Sequence, residues 1–106
     1  MLPLTAVDVS SDFSIVTSKD GGFLKALYFP AMKTVFVEFA LCNGSGTTKL
    51  ADCTNSKYRP IANHDCHAFN NPGAIITFFA DNGEIHQNIT MSAQSMYAVG
   101  TMYKCS

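Results

Sequence analysis

The sequence predicts an all-β fold: one antiparallel β-sandwich or small barrel of about six to seven strands, spanning residues 1–106 and held by two disulfides. Three observations carry this expectation. Apolar residues recur with a period of two, and no longer window has a convincing helical period. Asn-Gly and Asp-Gly-Gly steps, which tolerate the backbone of tight hairpins, fall between the alternating runs. Charged residues make up only 14% of the chain, against about 25% in ordinary soluble domains. The surface is therefore left to Ser, Thr, Asn, Gln and backbone rather than to the Lys and Glu that coat helices. A length of 106 residues suits a single core.

Along the chain, "DFSIVTSK" and "FLKALYFP" read as strands joined at Asp20-Gly21-Gly22, with Pro30 ending the second. "TVFVEFAL" places Val35, Val37, Phe39 and Leu41 on one face, with Phe36, Glu38 and Ala40 on the other. "NGSG", residues 43–46, is a further turn. Residues 54–73, "TNSKYRPIANHDCHAFNNPG", form the least regular stretch and are expected to be an irregular loop region. "AIITFFA" reads as a strand buried on both faces, followed by a two-residue type I′ hairpin at Asn82-Gly83. "EIHQNIT" sets Ile85, Gln87 and Ile89 opposite His86, Asn88 and Thr90. "MYAVGTMYK" sets Tyr97, Val99, Thr101 and Tyr103 opposite Met96, Ala98, Gly100 and Met102.

The cysteines, Cys42, Cys53, Cys66 and Cys105, are even in number, sit in a small domain and form no CxxC pair, which favours a disulfide framework over zinc or redox chemistry. Cys42–Cys53 with Cys66–Cys105 is the preferred pairing; it requires residues 43–52 to form a wide loop, because bridged Cα atoms lie within about 7 Å of each other. Such a framework implies a secreted or surface-exposed protein. Asn43-Gly44-Ser45 and Asn88-Ile89-Thr90 are acceptor sequences for N-glycosylation in a eukaryotic or viral protein. "MLPLTAVDVSS" lacks the basic and apolar regions of an intact signal peptide. The longest apolar run, "AIITFFA", falls far short of the roughly 18 residues that cross a bilayer, so no membrane insertion is expected. A formal net charge of −1, with no run of like charge, leaves no footprint for nucleic acid or anionic lipid.

"NHDCH", residues 63–67, is the densest cluster of reactive side chains. As a metal site it would use His64 and His67 with Asp65 or His86. With Cys66 committed to a disulfide, one loop supplies too few ligands, and no metal or cofactor is expected. As an acid–base site it would combine His64 or His67 with His86 and Glu84, and Lys57 or Arg59 would stabilise a phosphate, in the manner of a small secreted ribonuclease. His86 and Glu84 share one strand face, yet nothing in the sequence brings 64–67 to them. The residues between 54 and 73 also concentrate Asn55, Lys57, Tyr58, Arg59, Asn63, His64, Asp65, Asn70 and Asn71. Amide, carboxylate and aromatic groups together are what sugar hydroxyls and protein hot spots engage. The leading expectation is a secreted, disulfide-stapled binding module, acting as a homo-oligomer and recognising a cell-surface glycan or glycoprotein through Lys57, Tyr58, Arg59, Asn63, His64, Asp65, Asn70 and Asn71. A structural subunit of a virion, surface fibre or pilus is the alternative. The histidine-dependent hydrolase is the third, so an enzyme is not the leading reading.

Overall fold

A computed structural model describes residues 5–16, 22–43, 46–88 and 96–105. Nine strands among them form two antiparallel sheets, a sandwich with almost no helix. The first sheet contains β1 (Val7–Asp8), β3 (Phe23–Phe29), β4 (Thr34–Cys42) and β9 (Met96–Lys104), in the order β1-β3-β4-β9. The second contains β2 (Phe13–Ile15), β5 (Lys49–Cys53), β6 (His64–His67), β7 (Ile75–Phe78) and β8 (Glu84–Gln87), in the order β2-β5-β8-β7-β6. The strand count exceeds the expected six to seven because β1 and β6 are short edge pieces whose apolar pattern is too brief to stand out.

Period two governs the long strands. Val35, Val37, Phe39 and Leu41 of β4 are buried, as are Tyr97, Val99 and Tyr103 of β9. In register these residues face each other as Val35–Tyr103, Phe39–Val99 and Leu41–Tyr97. From the second sheet Ile76, Phe78 and Ile85 meet them. Phe78 packs on Phe39 and Tyr103, with ring centroids 6.3 and 5.5 Å apart. β7 is not buried on both faces as expected: Ala74, Ile76 and Phe78 are buried, whereas Ile75, Thr77 and Phe79 are only half-buried. Its second face is an outer surface of the sandwich.

Both pairs of sheet edges are joined. On one side the chain passes from β1 to β2 through a single 3₁₀ turn, Ser10–Asp12. Val9 N–H donates to the Ala26 carbonyl in the first sheet, and Thr54 N–H of the second sheet's side donates to the Asp12 carbonyl. On the other side residues 60–70 run beside β9. Ile61 N–H donates to the Lys104 carbonyl and Phe69 N–H to the Ala98 carbonyl. Asn70 accepts from Ala98 N–H through Oδ1 and donates to the Met96 carbonyl through Nδ2. The expectation of one irregular loop over 54–73 is thus corrected: the segment contains a 3₁₀ turn (Ser56–Tyr58) and β6, and its Arg59, Asn63 and Asn70 side chains bind backbone.

Two turns also differ from expectation. β7 and β8 are joined by a four-residue loop, not a two-residue type I′ turn: Phe79 N–H donates to Glu84 O, and Gly83 N–H to Phe79 O. Only Gly83 takes a left-handed backbone there, with φ 76°. The Asn82 side chain accepts from Glu84 N–H instead. At the β3–β4 turn Pro30 follows β3 as expected, and Lys33 takes φ 49°. Asp20 and Gly21 of the Asp20-Gly21-Gly22 turn, the centre of "NGSG" and the Ile89 and Thr90 positions lie outside the described residues.

The two expected disulfides are not formed: Cys42, Cys53, Cys66 and Cys105 are all free thiols. The sheets explain this. Cys42 ends β4 opposite Met96, and Cys53 ends β5 opposite Phe13 in the other sheet. Cys66 lies in β6 opposite Ile76, while Cys105 bridges Pro60. The sandwich is held by its core and edge bonds instead. Asn43 is fully buried and its Nδ2 donates to the Thr47 carbonyl at 2.8 Å, so that nitrogen is not placed to carry a glycan.

Burial pushes the Cys53 and Cys66 thiols up to about 11. Well below the unfolded thiol's ordinary value of about 8.5, both the folded and the unfolded chain hold these groups as neutral thiols. As pH rises from 9 toward 11 only the unfolded chain loses the protons, so folding stability declines through that window. Thermal denaturation across pH 8–11 will show this alkaline loss, and Cys53→Ala with Cys66→Ala will reduce it, leaving the part due to Tyr103 and Cys105, which burial also raises. A thiol titration after denaturation will count four sulfhydryls without reductant.

Candidate functional site

The outer face of the second sheet carries one row of polar residues in register across four strands. Asp65 of β6 stands opposite Thr77 of β7, Thr77 opposite His86 of β8, and His86 opposite Lys49 of β5. Ile85 and Gln87 point into the core, so alternation sends Glu84, His86 and Asn88 outward. Along β5 a bulge between Lys49 and Ala51 breaks the alternation. It buries both Leu50 and Ala51 and leaves Lys49 and Asp52 together on the outer side, their charged groups 2.7 Å apart. Re-aiming side chains in this way is the usual effect of a bulge.

Thr48, which precedes the bulge, is fixed by its backbone: its carbonyl accepts from Gln87 N–H at 3.0 Å. Its hydroxyl lies 2.8 Å from His86 Nδ1, and His86 Nε2 lies 2.7 Å from Glu84 Oε1. An ionised carboxylate only accepts hydrogen bonds, so in the neutral imidazole Nε2 carries the hydrogen. Nδ1 then accepts from the Thr48 hydroxyl. Phe79 packs edge-on against His86, with centroids 5.5 Å apart. The Lys49 ammonium is held above its ordinary range, chiefly by the Asp52 carboxylate; the Glu84 carboxylate, 3.9 Å away, adds a smaller effect.

These groups border a hollow of about 440 Å³, lined by Thr48, Thr77, Phe79, Asn82, Glu84 and His86, with Asp81, Gln87 and Asn88 completing its wall. Two of its amides are oriented by backbone. Asn82 Oδ1 accepts from Glu84 N–H and Asn88 Oδ1 from Ile75 N–H, so each turns its NH₂ group, a donor, away from those bonds. Carboxylates, amide donors, hydroxyls and a ring edge therefore share one shallow basin.

The residues that the sequence singled out are placed elsewhere. As part of a strand, "NHDCH" splits between two faces. His64 and Cys66 face inward, and Asp65 and His67 are exposed. His64 packs on Phe78 and Tyr103 and shares the Thr101 hydroxyl with Cys66. His67 Nδ1 donates to the Pro72 carbonyl of its own turn, 2.9 Å away. His86 lies on the opposite face of the sheet from His64, and two strand spacings, roughly 10 Å, from β6. The three histidines do not converge. Among the described residues no group of three or more His, Cys, Asp or Glu side chains is placed to hold a metal ion.

Several of the expected binding residues serve the scaffold. Arg59 Nε donates to the Cys53 carbonyl, and the Tyr58 carbonyl accepts from the Tyr103 hydroxyl. Lys57 Nζ lies over the rings of Tyr28 and Tyr58. The Asn63 side chain accepts from Ala80 N–H and that of Asp65 from the Thr77 hydroxyl, while the Asn71 backbone carbonyl accepts from Ala74 N–H. Thr48, Thr77, Phe79, Asp81, Asn82 and Asn88 escaped the sequence reading. The polar side of "EIHQN" was the available signal for Asn88, whereas the others depend on strand pairing.

No family model, no curated protein and no solved structure matches this chain. Function is therefore argued from the chemistry of the hollow itself.

Two substitutions separate scaffold from site. Asn70→Ala removes both bonds to β9 and will lower stability by about 1–2 kcal/mol, measured by urea denaturation, although surface amides are ordinarily near neutral. At Gly83 an added Cβ would overlap the Cys53 carbonyl and crowd Arg59 Nε. Gly83→Ala will cost about 1–3 kcal/mol for the left-handed backbone alone, and more with the overlap; an unchanged denaturation midpoint would contradict this geometry.

Proposed function

We propose that this protein is a binding module for a hydroxyl-rich ligand, a surface glycan or a simpler saccharide, taken up in the hollow on the outer face of the second sheet. One observation carries the reading: Asn82 and Asn88 are pinned through their oxygens, so the basin offers oriented NH₂ donors beside the Glu84 and Asp81 carboxylates. Sugar hydroxyls both donate and accept, and they need such a mixed, fixed set. The half-buried Phe79 ring supplies an apolar surface for sugar C–H groups. The proposed site uses β7, β8 and the start of β5 rather than the expected 54–73 segment, where Arg59, Asn63 and Asn70 are engaged with backbone. Binding in this basin makes no demand on compartment, and the export expectation no longer has paired cysteines behind it.

A second reading, the structural subunit, has its own support. Ile61, Phe69 and Met102 are 65%, 73% and 48% exposed along the β9 side, an apolar band that repeated copies could cover. Light scattering over a concentration series tests it, and a strict monomer at high concentration would rule it out.

For the binding reading, NMR titration with mono- and oligosaccharides is expected to move amides in 77–88 and around Thr48. Asn88→Ala will weaken a saccharide that binds by about tenfold, the equivalent of one lost oriented hydrogen bond. Lys57→Ala, remote from the hollow, will leave affinity unchanged. A glycan array without a positive signal, or binding that survives Asn88→Ala and fails in Lys57→Ala, would sink the assignment.

A further inference from the structure

We infer that Thr48 is a nucleophile, activated by His86 and Glu84, and that the hollow transfers and hydrolyses acyl groups from esters of hydroxyl-rich alcohols. The inference rests on the same basin as the binding reading but asks more of it, namely a reaction.

Three features carry it. The first is the chain of bonds. Thr48 Oγ1, His86 Nδ1, His86 Nε2 and Glu84 Oε1 are linked at 2.8 and 2.7 Å, within the reach that proton transfer needs. The carboxylate holds the imidazole in the tautomer whose free lone pair faces the hydroxyl, which is the orienting role of the acid in hydroxyl–imidazole–carboxylate triads. Here the two ring nitrogens have exchanged positions relative to the serine-protease arrangement, but the roles are the same. The second is rigidity. The Thr48 carbonyl is tied to Gln87 N–H, and the bulge that follows it holds Lys49 on Asp52, so Glu84 is left to the imidazole. The third is a donor for developing negative charge. Asn88 follows His86 by two residues on the same strand face and lines the basin, with its oxygen already engaged by Ile75 N–H. Its NH₂ group is the candidate to receive an oxyanion, a contribution that side-chain amides make in other acyl-transfer sites.

The cysteines do not compete for this role. Cys53 is buried, and Cys66 faces the interior beside Thr101, away from the basin.

In the step itself the Thr48 hydroxyl proton passes to His86 Nδ1 as Oγ1 bonds to the ester carbonyl carbon. The tetrahedral intermediate collapses, the bond from carbon to the alcohol oxygen breaks, and the imidazolium returns the proton to the departing alcohol. Water then adds to the acyl-threonine with His86 again as base, releasing the acid and restoring the hydroxyl. No oxidant, reductant or metal takes part.

The test uses the whole chain with p-nitrophenyl acetate as probe. Phenolate release is followed by absorbance, and the acetylated peptide is located by mass spectrometry after rapid acid quench. The expected result is an acetyl group on Thr48 and turnover that falls about a hundredfold or more in His86→Gln and in Thr48→Val. Thr48→Ser, which keeps the hydroxyl, should retain release, and circular dichroism confirms that each variant is folded. Release that is unchanged in Thr48→Val, acetyl found only on lysine or histidine, or no release from the native protein would each overturn the inference. Saccharide binding without any phenolate release defeats the inference alone, whereas release without saccharide binding defeats the binding reading alone.

Discussion

The strand β9 imposes the constraint on which the rest of this molecule depends. It is nine residues long, it pairs along its whole length with β4, and its other flank presents a row of backbone groups that would otherwise be an open edge. Residues 60–70 satisfy that flank with Ile61, Phe69 and both arms of Asn70. Having run beside β9, the same segment enters the second sheet as its edge strand β6. The order β6-β7-β8-β5 then follows, and β8 lies inside the sheet with a neighbour on each side. A side chain on its outer face is supported from both flanks, which is the condition for a preorganised site.

From that support the bulge in β5 builds the rest. Strict alternation would place Lys49 and Asp52 on opposite faces, because they lie three positions apart. The extra residue lets both face outward while Leu50 and Ala51 enter the core. One local irregularity therefore gives the core two apolar residues and the outer face an ion pair, and it leaves Thr48 poised at the end of the strand. The hairpin from β7 to β8 adds Asn82 and Phe79 through a loop that needs the left-handed backbone of Gly83.

How far the sequence could reach is visible in these elements. Alternation in 34–42 and 96–104 is enough to name their buried residues, since a one-residue error would turn every apolar side chain outward. The polar face of Glu84, His86 and Asn88 is equally legible. Its partners are not, because Thr48 reaches His86 from 38 residues away through a bulge that no local pattern announces. The 54–73 stretch misleads for the converse reason. Asn, Arg and His are the residues that a solvated binding loop uses, and they are also the residues that tie irregular backbone to a neighbouring strand. The cysteines misled in the same way: an even count in a small domain describes a disulfide framework, but the sheets place these thiols on separate strands with other neighbours.

The charges around His86 give a last reason to treat that face as more than a solvated surface. Asp52 stands directly opposite Glu84 in register, and like charges so placed repel. A face arranged for stability alone would put a lysine or threonine at one of the two positions. Lys49 offsets the repulsion unevenly, at 2.7 Å from Asp52 and 3.9 Å from Glu84. Asp52 is thereby neutralised, and the Glu84 carboxylate is directed to the imidazole. In the proposed reaction that carboxylate would be in contact with the positive charge gained by His86, while the Lys49 ammonium is held on Asp52.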